Sequence, residues 1–137
     1  MRQVVGWANE NMVASGLDGV RWMVEDALKF VRREVKRGHR YEGIILDPPA
    51  YGRGPDGEKW VLEHNICELL ECCAGILAPK GSFMVLNLYS MGLSAMLAKS
   101  AVNRVLPGAV QEQFGELCVT DSFGKTLPLG VYYRCRF

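Results

Sequence analysis

The stretch that decides the fold is Tyr-Glu-Gly-Ile-Ile-Leu-Asp-Pro-Pro-Ala-Tyr, residues 41–51. Its centre, at 44–46, is an uninterrupted apolar run, which is typical of a central parallel strand buried on both faces. Because proline cannot continue such a strand, the two prolines at 48 and 49 end it. The stretch therefore predicts a buried strand over 41–46 that carries the Asp47 carboxylate to the edge of a sheet.

Helices and strands alternate on both sides of this stretch. Upstream, the apolar periodicity predicts a helix that ends near Gly16, a short strand at 20–24 and a helix at 27–37 that ends at Gly38. Downstream, it predicts a glycine-rich loop at 50–57, a helix at 58–77, an apolar strand at 82–88, a helix at 93–105, and an antiparallel hairpin with strands at 113–120 and 129–136. This alternation implies a single α/β domain over residues 1–137 with a mostly parallel sheet.

Composition excludes several classes of protein. Hydrophobic residues make up 49% of the 137 residues, which excludes a disordered chain, and the formal net charge of +1 gives no global attraction to nucleic acid. The five cysteines form no Cys-x-x-Cys pair, so neither a disulfide framework nor a metal site is expected, and reduced thiols suggest the cytoplasm. No apolar run reaches the ~18 residues of a membrane span, so no membrane partner is expected.

Polar side chains stand at the predicted ends of three strands: Asp26, Asp47 and Asn87. In open α/β sheets, ligands bind beyond the carboxyl ends of the strands. Prolines carry no backbone N–H, so the carbonyl groups near Pro48 are expected to be unpaired acceptors beside the Asp47 carboxylate. Such a set of acceptors can bind an amino group. The alternative is a turn that only ends the strand.

The motif Asp-Pro-Pro-Ala-Tyr at 47–51 resembles the (Asp/Asn)-Pro-Pro-aromatic motif of S-adenosylmethionine-dependent methyltransferases. The strings VVGWANENMVASGL, EDALKFVRREVKRG, YEGIILDPPAYGRGPDGEKW and LAPKGSFMVLNLYSMGLS look like the branch of class I that includes ribosomal RNA large-subunit methyltransferases. The resemblance covers nearly the whole chain. It implies a Rossmann-like sheet of order 3-2-1-4-5-7-6, of which this chain supplies strands 3 to 7, so its first two strands and their cofactor-binding segment are expected to be missing.

The resemblance also implies a cofactor, S-adenosylmethionine, and residues that contact it. Asp26 is expected to contact the adenine amino group, with the Ala27 backbone beside it. Asp47 and Pro48 are expected to border both the methionine end of the cofactor and the acceptor atom of the substrate. They are therefore assigned to cofactor binding and to catalysis.

The substrate implied by the resemblance is RNA or another nucleobase-bearing molecule. Tyr51 is assigned to catalysis as an aromatic group for a substrate base, although it departs from the motif by one place because Ala50 stands where the aromatic is usual. Pro49 and Arg53 are assigned to substrate binding, and Arg53 suits a phosphate. Trp60 and His64 have no partner for catalysis in the sequence and are assigned to packing or to the surface.

The reaction class follows from a missing nucleophile. Methylation of a pyrimidine carbon needs a covalent nucleophile, normally cysteine, and by resemblance its positions are occupied by Ala50 and Ser90. Transfer to nitrogen or oxygen is therefore favoured, and Asp47 is expected to orient an amino acceptor. A dinucleotide-binding enzyme is the lesser alternative, because the Gly-x-Gly-x-x-Gly at 52–57 does not open a helix directly. A non-catalytic remnant that dimerises or binds RNA is the other alternative.

Two surface features carry expectations of their own. Removing two strands from the family order leaves a gap of about 14 Å beside the strand at 44–46, so its bare apolar edge predicts self-association. The stretch 29–40 holds six Lys or Arg plus His39 against one acid, Glu34. It is interpreted as a solvated helix with cations in its last turn rather than as an RNA-binding stripe.

Overall fold

The computed structural model describes residues 2–89 and 92–137. In chain order the elements are α1 (Arg2–Ala14), α2 (Ala27–Arg37), β1 (Gly43–Leu46), β2 (Tyr51–Arg53), β3 (Lys59–Val61), α3 (Leu62–Ile76), β4 (Phe83–Leu88), α4 (Ala95–Val105), β5 (Val110–Thr120) and β6 (Thr126–Arg136). The predicted α/β class is confirmed.

The main sheet has four strands in the order β1-β4-β6-β5. β1 runs parallel to β4, whereas β6 is antiparallel to both β4 and β5. This order matches positions 4-5-7-6 of the expected methyltransferase sheet, and the predicted final hairpin is confirmed as β5–β6. The carboxyl ends of β1 and β4 therefore meet at one edge of the sheet, next to each other.

The core lies on one face of this sheet, under α2, α3 and α4. Side chains of β4 alternate between faces, so Met84, Leu86 and Leu88 are buried against the helices. Leu70 of α3 and Tyr133 of β6 are fully buried in the same core. Because one sheet face packs on helices, one apolar stripe per helix is enough to fill this core.

The prediction that β1 is buried on both faces is wrong. Ile45 is 72% exposed, because its side chain lies on the sheet face away from the helices. Within the described residues, no strand pairs with the second edge of β1 either. The apolar run at 44–46 therefore marks a strand with one free face and one free edge.

Three other predicted segments also differ from the structure. Residues 20–24 form no strand, since β-prone side chains need a neighbouring strand that the described residues do not supply. The segment 50–57 is not a plain loop, because β2 pairs with β3 in an antiparallel hairpin whose turn includes Gly57 at φ +90°. This hairpin takes up 58–61, so α3 begins at Leu62 rather than at 58.

α2 ends at the glycine that its sequence predicts, and it also carries a buried carboxylate. Gly38 ends the helix in the left-handed conformation at φ 69°. Glu34 is only 4% exposed and accepts hydrogen bonds from the Tyr41 hydroxyl (2.6 Å) and Arg37 (3.2 Å), with a His39 ring nitrogen at 2.6 Å. The hydrogen bond from Tyr41, followed by that of His39, lowers the pKa of Glu34 to about 2. This network ties the end of α2 to the start of the β1 segment.

Most cations of the 29–40 stretch have carboxylate partners. The pairs are Lys29 with Asp56, Arg32 with Glu68, Arg33 with Glu25, and Arg37 with Glu34. Lys36 and Arg37 occupy the last turn of α2, where the helix dipole favours positive charge. These pairs support the interpretation of α2 as a structural helix.

Candidate functional site

A cleft of about 340 Å³ opens at the carboxyl end of β1. It brings together all of the predicted site residues except Tyr51, namely Asp26, Ala27, Asp47, Pro48, Pro49 and Arg53. The elements that place them are the N-terminus of α2, the segment after β1 and the β2–β3 hairpin. Its volume is at the lower end of the range for small-molecule sites, which run from about 300 to 1,000 Å³.

The α2 end of the cleft combines an acceptor with a donor. Asp26 is the N-cap of α2, and its Oδ1 accepts a hydrogen bond from the Lys29 backbone N–H at 2.8 Å. No hydrogen bond from the described residues reaches Asp26 Oδ2. Ala27 is the first residue of the helix, where backbone N–H groups have no partner within the helix. A carboxylate oxygen beside a free N–H can hold the amino and ring-nitrogen edge of adenine.

The β1 end of the cleft contains Asp47, which is held by a side chain from β4. Asn87 Nδ2 donates a hydrogen bond to Asp47 Oδ1 at 2.7 Å. Leu46 is the register partner of Leu86, so the residues that follow them lie side by side. Asn87 is a polar strand end that the sequence analysis noticed but did not assign to the site, because its partner depends on the pairing of β1 with β4.

The carbonyl groups of the two prolines differ in their hydrogen bonding. Trp60 Nε1 donates a hydrogen bond to the Pro49 carbonyl at 2.6 Å, so the expectation that the carbonyls here are unpaired is wrong for Pro49. No donor among the described residues reaches the Pro48 carbonyl, which remains available. Trp60 lines the cleft and is only half-buried. Trp60 packs against the core, as its assignment to packing or to the surface allows, and it also contacts the site. No local pattern indicates this second contact, because 11 residues separate the two groups.

The β2–β3 hairpin forms the remaining wall. Arg53 lies at the cleft and makes no ion pair within the described residues. Tyr51 is 72% exposed and lies outside the cleft lining, so the structure does not bring it to Asp47. The turn of the hairpin is attached to α2, because Lys29 Nζ lies 2.9 Å from Asp56 and 3.6 Å from Glu58. The catalytic role of Tyr51 and the binding of a phosphate by Arg53 stay predictions.

Thiol chemistry has no support at the cleft. All five cysteines are free, and none of them lines it. Burial raises the pKa of the Cys73 thiol to about 12, so that side chain is inert. Ala50 uses its carbonyl to accept the Leu62 N–H at 2.9 Å, and Ser90 lies outside the described residues.

Two further properties concern the described ranges 2–89 and 92–137. They contain no group of three or more His, Cys, Asp or Glu side chains placed to hold a metal ion. They also contain no helix with the length and apolar character needed to cross a membrane.

The fold is that of S-adenosylmethionine-dependent methyltransferases, and the resemblance predicted from the Asp-Pro-Pro motif is confirmed by the following comparisons. A S-adenosylmethionine-dependent methyltransferase from Agrobacterium tumefaciens superposes on 99% of this chain with a TM-score of 0.91 and 34% sequence identity. SMU.776, named as a methyltransferase and solved with S-adenosylhomocysteine, covers 90% of the chain with a TM-score of 0.64 and 15% identity, which shows a shared fold.

Among curated proteins, the chain is similar to ribosomal RNA large subunit methyltransferase K/L of Shewanella frigidimarina, with 27% identity over 86 residues, or 61% of this chain. The chain spans only 12% of that relative's length and 46% of the Agrobacterium chain. No family model matches the sequence.

Proposed function

We propose that this chain supplies part of the active site of an S-adenosylmethionine-dependent methyltransferase that acts on RNA or another nucleobase-bearing substrate. The observation that carries the proposal is the cleft in which Asp26 and Ala27 face Asp47 and Pro48. The similarity to a ribosomal RNA methyltransferase supports RNA as the substrate class. The five free thiols agree with a cytoplasmic protein.

The residues at the cleft divide into two groups by the partners they can bind. Asp26 and the Ala27 N–H suit the adenine ring of the cofactor. Asp47 and the Pro48 carbonyl are acceptors, so they suit the cofactor's ammonium group and an amino group on the substrate. When bound, the cofactor supplies an electrophilic methyl group attached to a sulfonium.

Transfer to a nitrogen fits this arrangement better than transfer to carbon. The acceptor nitrogen needs to be aligned with the methyl group, and hydrogen bonds from its own N–H groups to Asp47 and Pro48 supply that alignment. A carbon acceptor would need a nucleophile, and no cysteine lies at the cleft. The roles of Pro49, Arg53 and Tyr51 in contacting the substrate belong to the same proposal.

Binding of S-adenosylhomocysteine by this chain tests the proposal directly. Calorimetric titration is expected to give a dissociation constant in the micromolar range. Asp26→Asn should weaken binding by about tenfold, because the change removes a charge-assisted hydrogen bond worth roughly 1.5 kcal/mol. The matched control is Asp18→Asn, in an exposed residue outside the cleft. A folded sample with no affinity would contradict the proposal and favour a non-catalytic module that dimerises or binds RNA.

We also propose that the chain self-associates through β1, with a second copy as the partner. The Glu42 carbonyl accepts the Phe83 N–H at 3.0 Å, so this side of the backbone faces β4. Because backbone groups alternate sides along a strand, the N–H and C=O of Ile45 face the free edge. A twofold axis would let two such edges pair with each other as an isologous interface.

Light scattering at micromolar concentration is expected to give about twice the 15.3 kDa chain mass. Ile45→Pro should return the mass to that of one chain, since it removes an N–H that faces the free edge and leaves the bonds to β4 intact. Ile45→Thr keeps the N–H and should remain associated. A monodisperse monomer for the unmodified chain would refute self-association.

A further inference from the structure

We infer that Asn87 and Trp60 are positioning residues that hold the two ends of the Asp-Pro-Pro segment (residues 47–49) and thereby select which of its acceptors face the cleft. Neither residue belongs to the motif, and each comes from a different element, β4 and β3. The inference deepens the proposed function and rests on it for its catalytic consequence. Its structural part stands on the two hydrogen bonds alone.

The Asp-Pro-Pro segment needs anchors from elsewhere because it cannot fix itself. Pro48 and Pro49 have no backbone N–H, so the segment cannot form the local hydrogen bonds that hold most turns. Apart from the backbone N–H of Asp47, the polar groups that remain are the carbonyl groups and the Asp47 carboxylate, which are acceptors. Donors from other elements are therefore needed to hold the carboxylate and the proline carbonyls in place.

The first anchor is Asn87, and its orientation is unambiguous. An ionised carboxylate only accepts hydrogen bonds, so the Asn87 amide turns its NH₂ group toward Asp47 Oδ1, at 2.7 Å. The Asn87 Oδ1 atom is then left buried and without a partner among the described residues. A buried carbonyl oxygen without a hydrogen-bond partner lowers the stability of the fold. Unsatisfied polar groups of this kind are found at functional sites.

The second anchor is Trp60, at the other end of the segment. Its indole N–H donates to the Pro49 carbonyl at 2.6 Å. Trp60 sits in β3 opposite Gly52, and the neighbouring ladder is extended by the bond from the Leu62 N–H to the Ala50 carbonyl at 2.9 Å. The β2–β3 hairpin thus acts as a rigid support that carries the indole to the segment.

Together the two anchors determine which acceptors of the segment remain free for a ligand. Asp47 Oδ1 and the Pro49 carbonyl are occupied, whereas Asp47 Oδ2 and the backbone carbonyls of Asp47 and Pro48 receive no hydrogen bond from the described residues. Of these, Asp47 Oδ2 and the Pro48 carbonyl are the acceptors that we assign to a ligand in the cleft. Loss of either anchor should let the segment rotate and misplace them.

Two nearly isosteric variants remove one donor each. Asn87→Asp keeps the shape of the side chain but cannot donate to Asp47, and Trp60→Phe keeps an aromatic ring without its N–H. The matched controls are Asn11→Asp and Trp7→Phe, both in α1, where the two side chains are exposed. Circular dichroism checks that every variant is folded.

The structural part is measured on the unliganded 137-residue chain by ¹⁵N nuclear magnetic resonance. The Trp60 indole N–H should exchange with solvent more slowly than that of Trp7, which is 65% exposed. The amide resonances of Asp47 and Ala50, which flank the prolines, should shift in Asn87→Asp and Trp60→Phe and stay in place in both controls. An indole that exchanges as fast as that of Trp7 would overturn the inference without any variant.

The functional part separates positioning from binding. Each variant is expected to lower kcat by about tenfold to a hundredfold, because a misplacement of about 1 Å is enough for such a loss. The affinity for S-adenosylhomocysteine should fall by less than kcat does, since Asp26 and Ala27 still hold the adenine end and only the contact with the ammonium group depends on the segment. Equal losses of affinity and kcat, or unchanged kcat with unchanged amide resonances, would refute a positioning role. If the unmodified chain binds no cofactor, the proposed function fails, and the unliganded spectra alone decide whether the anchors hold the segment.

Discussion

Replacing Asp47 with alanine is expected to lower methyl transfer by this chain by about a hundredfold or more, which makes it the largest functional effect among the cleft residues. The carboxylate is the charged acceptor beside the prolines, and its Oδ2 receives no hydrogen bond from the described residues. Removing it leaves the acceptor nitrogen without its main orienting partner and leaves Asn87 Nδ2 without the bond that holds it. Initial rates at saturating cofactor, with an RNA oligonucleotide whose bases carry amino groups as acceptor, measure the loss.

The matched control is Asp18→Ala, because Asp18 is exposed and lies outside the cleft lining. Its rate should equal that of the unmodified chain within about twofold. Full activity in Asp47→Ala would show that the acceptor is oriented by other groups. In that case the Asp-Pro-Pro segment would only end β1.

The largest effect on stability is expected for Gly130→Ala, which should lower the free energy of unfolding by about 3 kcal/mol. Gly130 adopts φ +124°, a conformation that L side chains rarely reach. An added Cβ would also lie 2.6 Å from the Leu88 carbonyl oxygen and 2.9 Å from the Tyr89 Cα, both of which are backbone atoms that cannot step aside. The position lies where β6 passes the end of β4, so the strain would reach the main sheet.

Gly124→Ala separates strain from collision. Gly124 adopts φ +82° in the β5–β6 turn, and an added Cβ there meets nothing within 4 Å. That variant should cost only about 1 kcal/mol, from the backbone conformation alone. Urea unfolding followed by circular dichroism gives both values, and equal losses in the two variants would rule out the predicted collision at Gly130.

The parts of the fold that were predictable from sequence are those determined by local chemistry. α2 has its cap at Asp26, its stop at Gly38 and an apolar stripe between them, so its predicted bounds of 27–37 are confirmed. The end of β1 was predictable because two prolines leave a strand no way to continue. The grouping of Asp26 with Asp47 followed from the resemblance and from the rule that ligands bind at the carboxyl ends of strands.

The parts that were missed depend on contacts between distant residues. Residues 20–24 have a strand-like composition but no neighbouring strand among the described residues, so composition alone misled the prediction. The β2–β3 hairpin was missed because each of its strands has only three residues and β2 contains Gly52, which has low strand propensity. Trp60 and Asn87 reach the Asp-Pro-Pro segment from other strands, and no periodicity in the sequence shows such a contact.

The ion pairs along α2 have a consequence for the thermodynamics of nucleic-acid binding. A phosphate that approached Lys29, Arg32 or Arg33 of this helix would have to displace Asp56, Glu68 or Glu25 from cations that they already neutralise. The freed carboxylates would attract cations in place of those released from the nucleic acid, so the exchange would give affinity with little dependence on salt concentration. A steep dependence of RNA affinity on salt would therefore report contacts made elsewhere, and Arg53, which lies at the cleft without a carboxylate partner in the described residues, is the cation placed to make one.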